Sequence, residues 1–228
     1  MQQNRFGALK RFADRQADAA PPALQRNTVR TLENFGRVRL SKHFFMRDFL
    51  YSEVSSAHGI PNIPNTPELA IEAGRGLCEH LLEPLREIFG HVAVRSAFRS
   101  AAVNRYGNRH GLNCARNSRT HAKHIWDHRD ADGCIGATAC VVIPWFIDSA
   151  DYRATGDWRP LAWFIHDRLP YSEMCFFPNN AAFNLTWRNR RPRREIRSHV
   201  PPRGILTRPG FANHAGDHSA CYPRFPSA

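Results

Sequence analysis

The sequence predicts an α+β domain, a small antiparallel sheet with packed helices and a basic N-terminal arm. Two observations carry that prediction. The signals run in the order helix, strand, loop, strand, helix, hairpin, which segregates helices from strands. The chain has 228 residues with an apolar fraction of 42%, enough for one real core.

Residues 1–38 read as the arm. Arg5, Lys10, Arg11, Arg15, Arg26 and Arg30 mix with the Pro/Ala break "ADAAPPALQ", and the apolar face is too thin for a core helix. The compact domain is expected over 39–205, with 206–228 as a C-terminal tail. "RLSKHFFMRDFLYSE" opens it, with Phe44, Phe45, Phe49 and Leu50 at helix-like spacing. The next helix is marked by Thr66 as N-cap, Pro67 as first residue and Glu68 at the positive end of the dipole. Ala73, Leu77, Leu81, Leu85 and Ile88 give it one apolar face. Pro84 should kink or break it, and Gly90 should stop it.

"HVAVRS" then reads as a short strand and "SAAVNRYG" as a short helix. Residues 107–135, rich in Asn, Gly, Arg, His and Asp, form a long irregular excursion of the kind that is usually functional or disordered. "ATACVVIPW" is a buried strand, and "DWRPLAWFIHDRLP" a helix. "SEMCFFP" and "FNLTW", split by "NNAA", read as a hairpin.

Composition narrows the classes of function. No run approaches the roughly 18 apolar residues of a membrane span. The opening "MQQNRFGALKRFADRQADAA" has no apolar export signal, so the sequence points to the cytoplasm. The net charge is +12, and of 32 basic residues only Lys10, Lys42 and Lys123 are lysines. The arginines spread along the chain rather than striping one helix, apart from "WRNRRPRREIRSHVPPRG". That run can grip phosphates or anionic wall polymers, or can be a solvated edge strand. No aromatic stacking platform accompanies it, which argues against nucleic acid as a partner. The six cysteines, at 78, 114, 134, 140, 175 and 221, form no C-x-x-C pair.

The chemistry concentrates in "HIWDHRDADGCIGATACVVIPWF", residues 124–146. "DHRDADG" resembles a fragment of a calcium loop, but its best register begins at His128 and closes on Ala139. A solvated acidic turn accounts for it better.

The segment "LSKHFFMRDFLYSE…GIPNIPNTPEL…LCEHLLEPLREIFGHVAVRSAFRSAAVN" resembles the D-alanyl-D-alanine carboxypeptidase-like zinc peptidases, which include phage endolysins and cell-wall peptidases. The family pattern is a helix ending in L-x-P-L-R, a glycine, a short strand and S-G-Y-R-S-x-x-x-N. Here it reads Leu82-Glu83-Pro84-Leu85-Arg86, Gly90, and Ser96-Ala97-Phe98-Arg99-Ser100 with Asn104. The likeness covers roughly 40–200. It implies a peptidase of D-Ala-containing peptidoglycan bonds, with Arg99 gripping a terminal carboxylate.

The family's zinc ligands are two histidines and an aspartate, in S-x-H-x-x-G-x-A-x-D and a later W-I-H-I-S. In this chain Gly136 fits the glycine, Cys140 takes the aspartate's place, Gly133 stands where the first histidine belongs, and Asn184 replaces the second. Two readings stay open. A rearranged zinc site would use Cys140 with His124 or Cys134 and a further histidine among His166, His214 and His218, with Glu173 as general base. Alternatively the fold has lost its metal, and Arg99 and Asn184 serve a module that binds peptidoglycan peptide or builds a larger assembly. A phage origin would reconcile a wall-directed fold with the missing signal.

Overall fold

The computed structural model describes residues 29–226. Residues 1–34 and 35–228 form separate units. Of the first, only the start of helix α1 (Val29–Gly36) is described, so the arm's Arg5, Lys10, Arg11, Arg15 and Arg26 lie outside the described residues. Among the described residues no helix is long and apolar enough to cross a membrane.

The main unit is α+β. Its N-terminal stretch makes only a short 3-10 turn, Met46–Phe49, where a longer amphipathic helix was expected. Phe44 and Phe49 are buried but Phe45 is 40% exposed, so the apolar cluster is not one helical face. After α2 (Glu53–His58), α3 (Pro67–Leu77) starts at Pro67 as read from the sequence, with Thr66 at the cap position but without the expected side-chain cap hydrogen bond. The predicted kink is realised as a π-turn, Cys78–Leu82, ahead of α4 (Glu83–Phe89). Pro84 has no N–H to donate, and its ring crowds the carbonyl one turn back, so the ladder before it widens. Gly90 ends the helix at φ 79.

Glu83, in that same motif, fastens the N-terminal stretch to the helix. Its Oε1 accepts from the Ser41 hydroxyl at 2.6 Å and the His43 backbone N–H at 2.7 Å, and Oε2 meets His43 Nδ1 at 2.6 Å. Burial raises its pKa, but these hydrogen bonds win and hold it below the usual glutamate value.

The sheet has six strands in the order β1-β2-β4-β3-β5-β6. They are β1 (Ala93–Ser96), β2 (Gly136–Val142), β3 (Glu173–Phe176), β4 (Phe183–Arg188), β5 (Glu195–Ser198) and β6 (Gly204–Thr207). The expected all-antiparallel sheet is corrected on one point, since β3 and β5 run parallel. The reason is topological. One edge of β4 is taken by β2 and the other by its hairpin partner β3, so the next strand must add beyond β3. A short turn reverses the chain after β4, which makes β5 antiparallel to β4 and therefore parallel to β3.

One face of the sheet packs on the helices. Ala137, Ala139, Val141, Met174, Phe176, Phe183 and Leu185 join Leu77, Leu81, Leu85 and Phe164 in one core. The approach of α3 is close: a Cβ on Gly76 would lie 2.3 Å from the Trp187 ring. The helix predicted around residue 101 is α5 (Ala101–Arg109), capped by Ser100 Oγ, which accepts from the Val103 N–H. The excursion to residue 135 contains one short helix, α6 (Asn117–Thr120). The helix expected at 158–169 is α9 (Arg159–Arg168), preceded by α7 (Pro144–Ile147) and α8 (Ala150–Thr155). The stretch read as a tail returns to the body. Tyr222 and Phe225 pack around Phe164, with ring centroids 5.3 and 5.2 Å away.

Candidate functional site

The second sheet face holds the polar residues of the alternating strands. Cys140 on β2, Asn184 on β4 and Cys175 on β3 lie opposite one another in one row, continued by Ser96 on β1 and Arg197 on β5. Directly opposed Cβ atoms are about 5 Å apart, so Cys140 and Cys175 flank Asn184.

The excursion folds over this row and brings down His124, which is buried. Its Nδ1 lies 2.8 Å from the Ala97 carbonyl oxygen, and its Nε2 lies 3.3 Å from Asn184 Nδ2. A carbonyl only accepts, so Nδ1 carries the hydrogen and the Nε2 lone pair receives the Asn184 amide. Burial pushes the imidazole pKa down to about 3, with the charges of Arg99 and Lys123 adding to the effect. His124 is therefore neutral at ordinary pH. A metal-ligating histidine is typically oriented in this way, with one ring N–H on a carbonyl and the other lone pair turned inward. In this chain the lone pair meets an amide.

Arg99 borders the same place. Its backbone N–H donates to the His124 carbonyl at 2.8 Å, and its Nη1 lies 2.7 Å from Cys114 Sγ. It lines a cleft of about 210 Å³ with Tyr51, Glu53, Ser96 and Leu112. Tyr51 and Leu112 are exposed. Burial raises the pKa of Cys140, partly offset by Arg95 and Arg99, so it stays a thiol. Burial likewise pushes Cys175 up to about 11.

The structure thus brings His124, Asn184, Cys140 and Arg99 together and separates Cys134 and Glu173 from them. Cys134 precedes Gly136, which pairs with Arg188 at the far end of β2, about 13 Å along the strand from Cys140. Glu173 is held by Lys123 at 2.6 Å and Arg193 at 3.0 Å. It pairs with Thr186, one row away from Cys175's partner Asn184, and lines a second, charged cleft with His121 and Arg197. Both carboxylate oxygens are thus engaged by cations in that cleft rather than turned toward Asn184 and Cys140. Among the described residues, His124, Cys134 and Cys140 do not converge as a ligand group. The one convergent set there is His166, Asp167 and His218, elsewhere in the fold.

The carboxylates of the acidic loop are engaged by protein groups. Arg188, buried at the end of β4, donates from Nε to Asp130 at 2.9 Å and from Nη2 to Asp132 at 2.6 Å. Asp130 Oδ1 also accepts the backbone N–H groups of Asp132 and Cys134, both at 3.0 Å. Burial works against the Asp130 charge, but Arg188 overrides it and keeps the pKa low. Asp127 accepts from the Asn65 N–H at 2.7 Å. The arginine run is also used internally. Arg194 caps the end of α9 through the Leu169 and His166 carbonyls and stacks 4.4 Å over Tyr171, while Arg197 pairs with Glu195.

Residue-level reading missed Cys175, Arg188 and the Ala97 carbonyl. Only the alternation of "SEMCFF" hinted that Cys175 shares a face with Glu173. Comparison with protein-family models, with curated proteins and with solved structures finds no match for this chain.

Proposed function

We propose that this chain is a peptidoglycan-peptidase-like domain that binds D-alanine-ended wall peptides without hydrolysing them. The observation that carries the proposal is the 3.3 Å hydrogen bond from Asn184 to His124 Nε2, which occupies the lone pair a zinc ion would need. A catalytic zinc site takes three protein donors and keeps a fourth position for water. This place offers one imidazole lone pair, one protonated thiol and one amide, so the donor set does not fit a peptidase zinc, and no hydrolytic step is assigned to it.

Binding uses what remains. The Arg99 fork grips a terminal carboxylate, as its place in S-A-F-R-S suggests by resemblance. Exposed Tyr51 and Leu112 give apolar contact along the cleft. Asn184, with its N–H turned to His124, offers its side-chain oxygen to a ligand amide. Service as a structural part of a larger assembly, such as a virion, fits the same arrangement.

A second reading keeps an active zinc peptidase built on His124 and Cys140, with Asn184 turned aside. The carbonyl-oriented Nδ1–H of His124 favours it.

The test is incubation with purified sacculi and added zinc, scoring sedimentation and release of D-alanine or new amino groups together. The proposal expects retention, weakened about tenfold or more in Arg99→Ala by loss of a charge-assisted contact, with no release. Release that disappears in His124→Ala would establish the second reading. Failure of the wild type to sediment would overturn the binding role.

A further inference from the structure

We propose that His166, Asp167 and His218, supplemented by His214, form a binding site for a zinc-class divalent ion that clips the C-terminal segment onto α9. The site is independent of His124 and Cys140 and of the function proposed above. The ligand atoms of His166, Asp167 and His218 already lie within 4.8 Å of one another. His166 is buried, and the other two side chains are only 13% and 12% exposed.

The segment that covers them is unusual in what it turns inward. Every residue from Arg208 to Cys221 is exposed except His214 and His218. Between β6 and the buried Tyr222 the loop buries no apolar side chain of its own. The Tyr222 hydroxyl donates to Asp167 Oδ2 at 2.7 Å, beside the His218 N–H at 3.0 Å. Two imidazoles meeting a histidine and a carboxylate are what a metal clip uses to offset the ordering entropy of such a loop. His214 and His218 are four apart, and His166 and Asp167 are adjacent at the end of α9.

Each imidazole is aimed by an outer contact. His166 Nδ1 lies 2.7 Å from the Tyr171 hydroxyl, His214 Nδ1 lies 3.2 Å from Thr207 Oγ1, and His218 Nε2 lies 3.0 Å from the Asn213 carbonyl. The ring of His218 is stacked on Trp163 at 4.1 Å. These are the partners that orient metal-bound histidines. The remaining nitrogens face inward. His218 Nδ1 lies 2.7 Å from Asp167 Oδ1, and His166 Nε2 lies 2.9 Å from the His214 carbonyl oxygen. The His166 and His214 rings are 5.0 Å apart.

Binding exchanges hydrogens for the ion. The hydrogen between His218 Nδ1 and Asp167 Oδ1 leaves as a proton, and that pair opens to about 3.3 Å, the separation of two tetrahedral zinc ligands. His166 moves its hydrogen to Nδ1, donates it to the Tyr171 oxygen, and presents Nε2 to the ion. The His214 carbonyl oxygen or its Nε2 completes the shell. Two or three imidazoles with a carboxylate suit zinc better than magnesium or calcium.

The test uses the full chain. Zinc is titrated against a chromophoric chelator for wild type, His218→Ala, His214→Ala and Cys140→Ala. Cobalt(II) is then added for its visible spectrum, and hydrogen exchange over 208–222 is compared with and without zinc. The inference expects about one ion per chain. His218→Ala should weaken it at least about tenfold, with Cys140→Ala unchanged. Cobalt should give tetrahedral bands without thiolate charge transfer, and zinc should slow exchange in the segment. Both histidines changed to alanine lie on an exposed loop, so these variants keep the core. Uptake equal in wild type and His218→Ala, a thiolate band, or absence of uptake would each overturn the site.

Discussion

Between about pH 7 and about pH 4.5 the His124 imidazole should cost the folded chain roughly 2–3 kcal/mol, and His124→Gln should remove that loss. The magnitude follows from burial. In the unfolded chain the group titrates near 6.5, while in the fold burial holds it at about 3. Between those values the unfolded state binds the proton and the native state does not, so stability falls as the pH falls. Each unit in the window is worth about 1.36 kcal/mol, which gives about 5 kcal/mol if the whole range is crossed. Stopping near pH 4.5 keeps most carboxylates ionised. The assay is urea unfolding of both proteins at the two pH values, comparing the change in stability rather than its absolute level. Burial also depresses the pKa of His121, His166 and His214, but these titrate in both proteins and cancel in the comparison. Equal pH slopes for wild type and variant would refute the buried, neutral His124 on which the site is built.

Arg188→Met should destabilise the chain by about 3 kcal/mol or more, because it strands Asp130 and removes the anchor of the acidic loop. Hydrogen exchange over 127–135 should rise with it, and a loss below about 1 kcal/mol would contradict the anchoring role. Gly76→Ala should cost about 1–3 kcal/mol although alanine is the better helix former, since its Cβ would meet the Trp187 ring. A raised melting temperature would show that α3 does not press on the sheet as described. Glu83→Gln should cost about 1.5–3 kcal/mol at neutral pH through loss of charge-assisted bonds to Ser41 and His43. Because the folded pKa of Glu83 is lowered, the wild-type advantage is present above the unfolded carboxylate value. Denaturation at acid pH should show that advantage shrinking as the carboxyl protonates.

Local chemistry made much of the fold legible in the sequence. Pro67 marks a helix start because the N1 preference of proline is local, and Pro84 disturbs its ladder wherever the helix packs. The hairpin of β3 and β4 was readable from alternation and a polar break. The parallel β3–β5 pair was not, because which edge a later strand joins depends on what already occupies the others. The site divides in the same way. Cys140 and Asn184 were placed by spacing within motifs, and the register sets them opposite each other. Glu173 and Cys134 were placed by proximity along the chain, and the β2 strand carries Cys134 away from Cys140. Arg188 looks like any other member of an arginine run, and only the fold shows that it closes on Asp130 and Asp132. His166, His214 and His218 could not be ranked from spacing, because the return of the C-terminal segment to α9 is a tertiary contact.

The most direct test of the central claim, that Asn184 closes the place a peptidase zinc would take, is the ring-nitrogen NMR signature of His124 during a zinc titration. The account predicts a neutral ring with hydrogen on Nδ1 and an Nε2 resonance that does not move with zinc, even as the His218 resonances do. An Nε2 shift on zinc addition, abolished by Cys140→Ala, would contradict it and favour the zinc-peptidase reading.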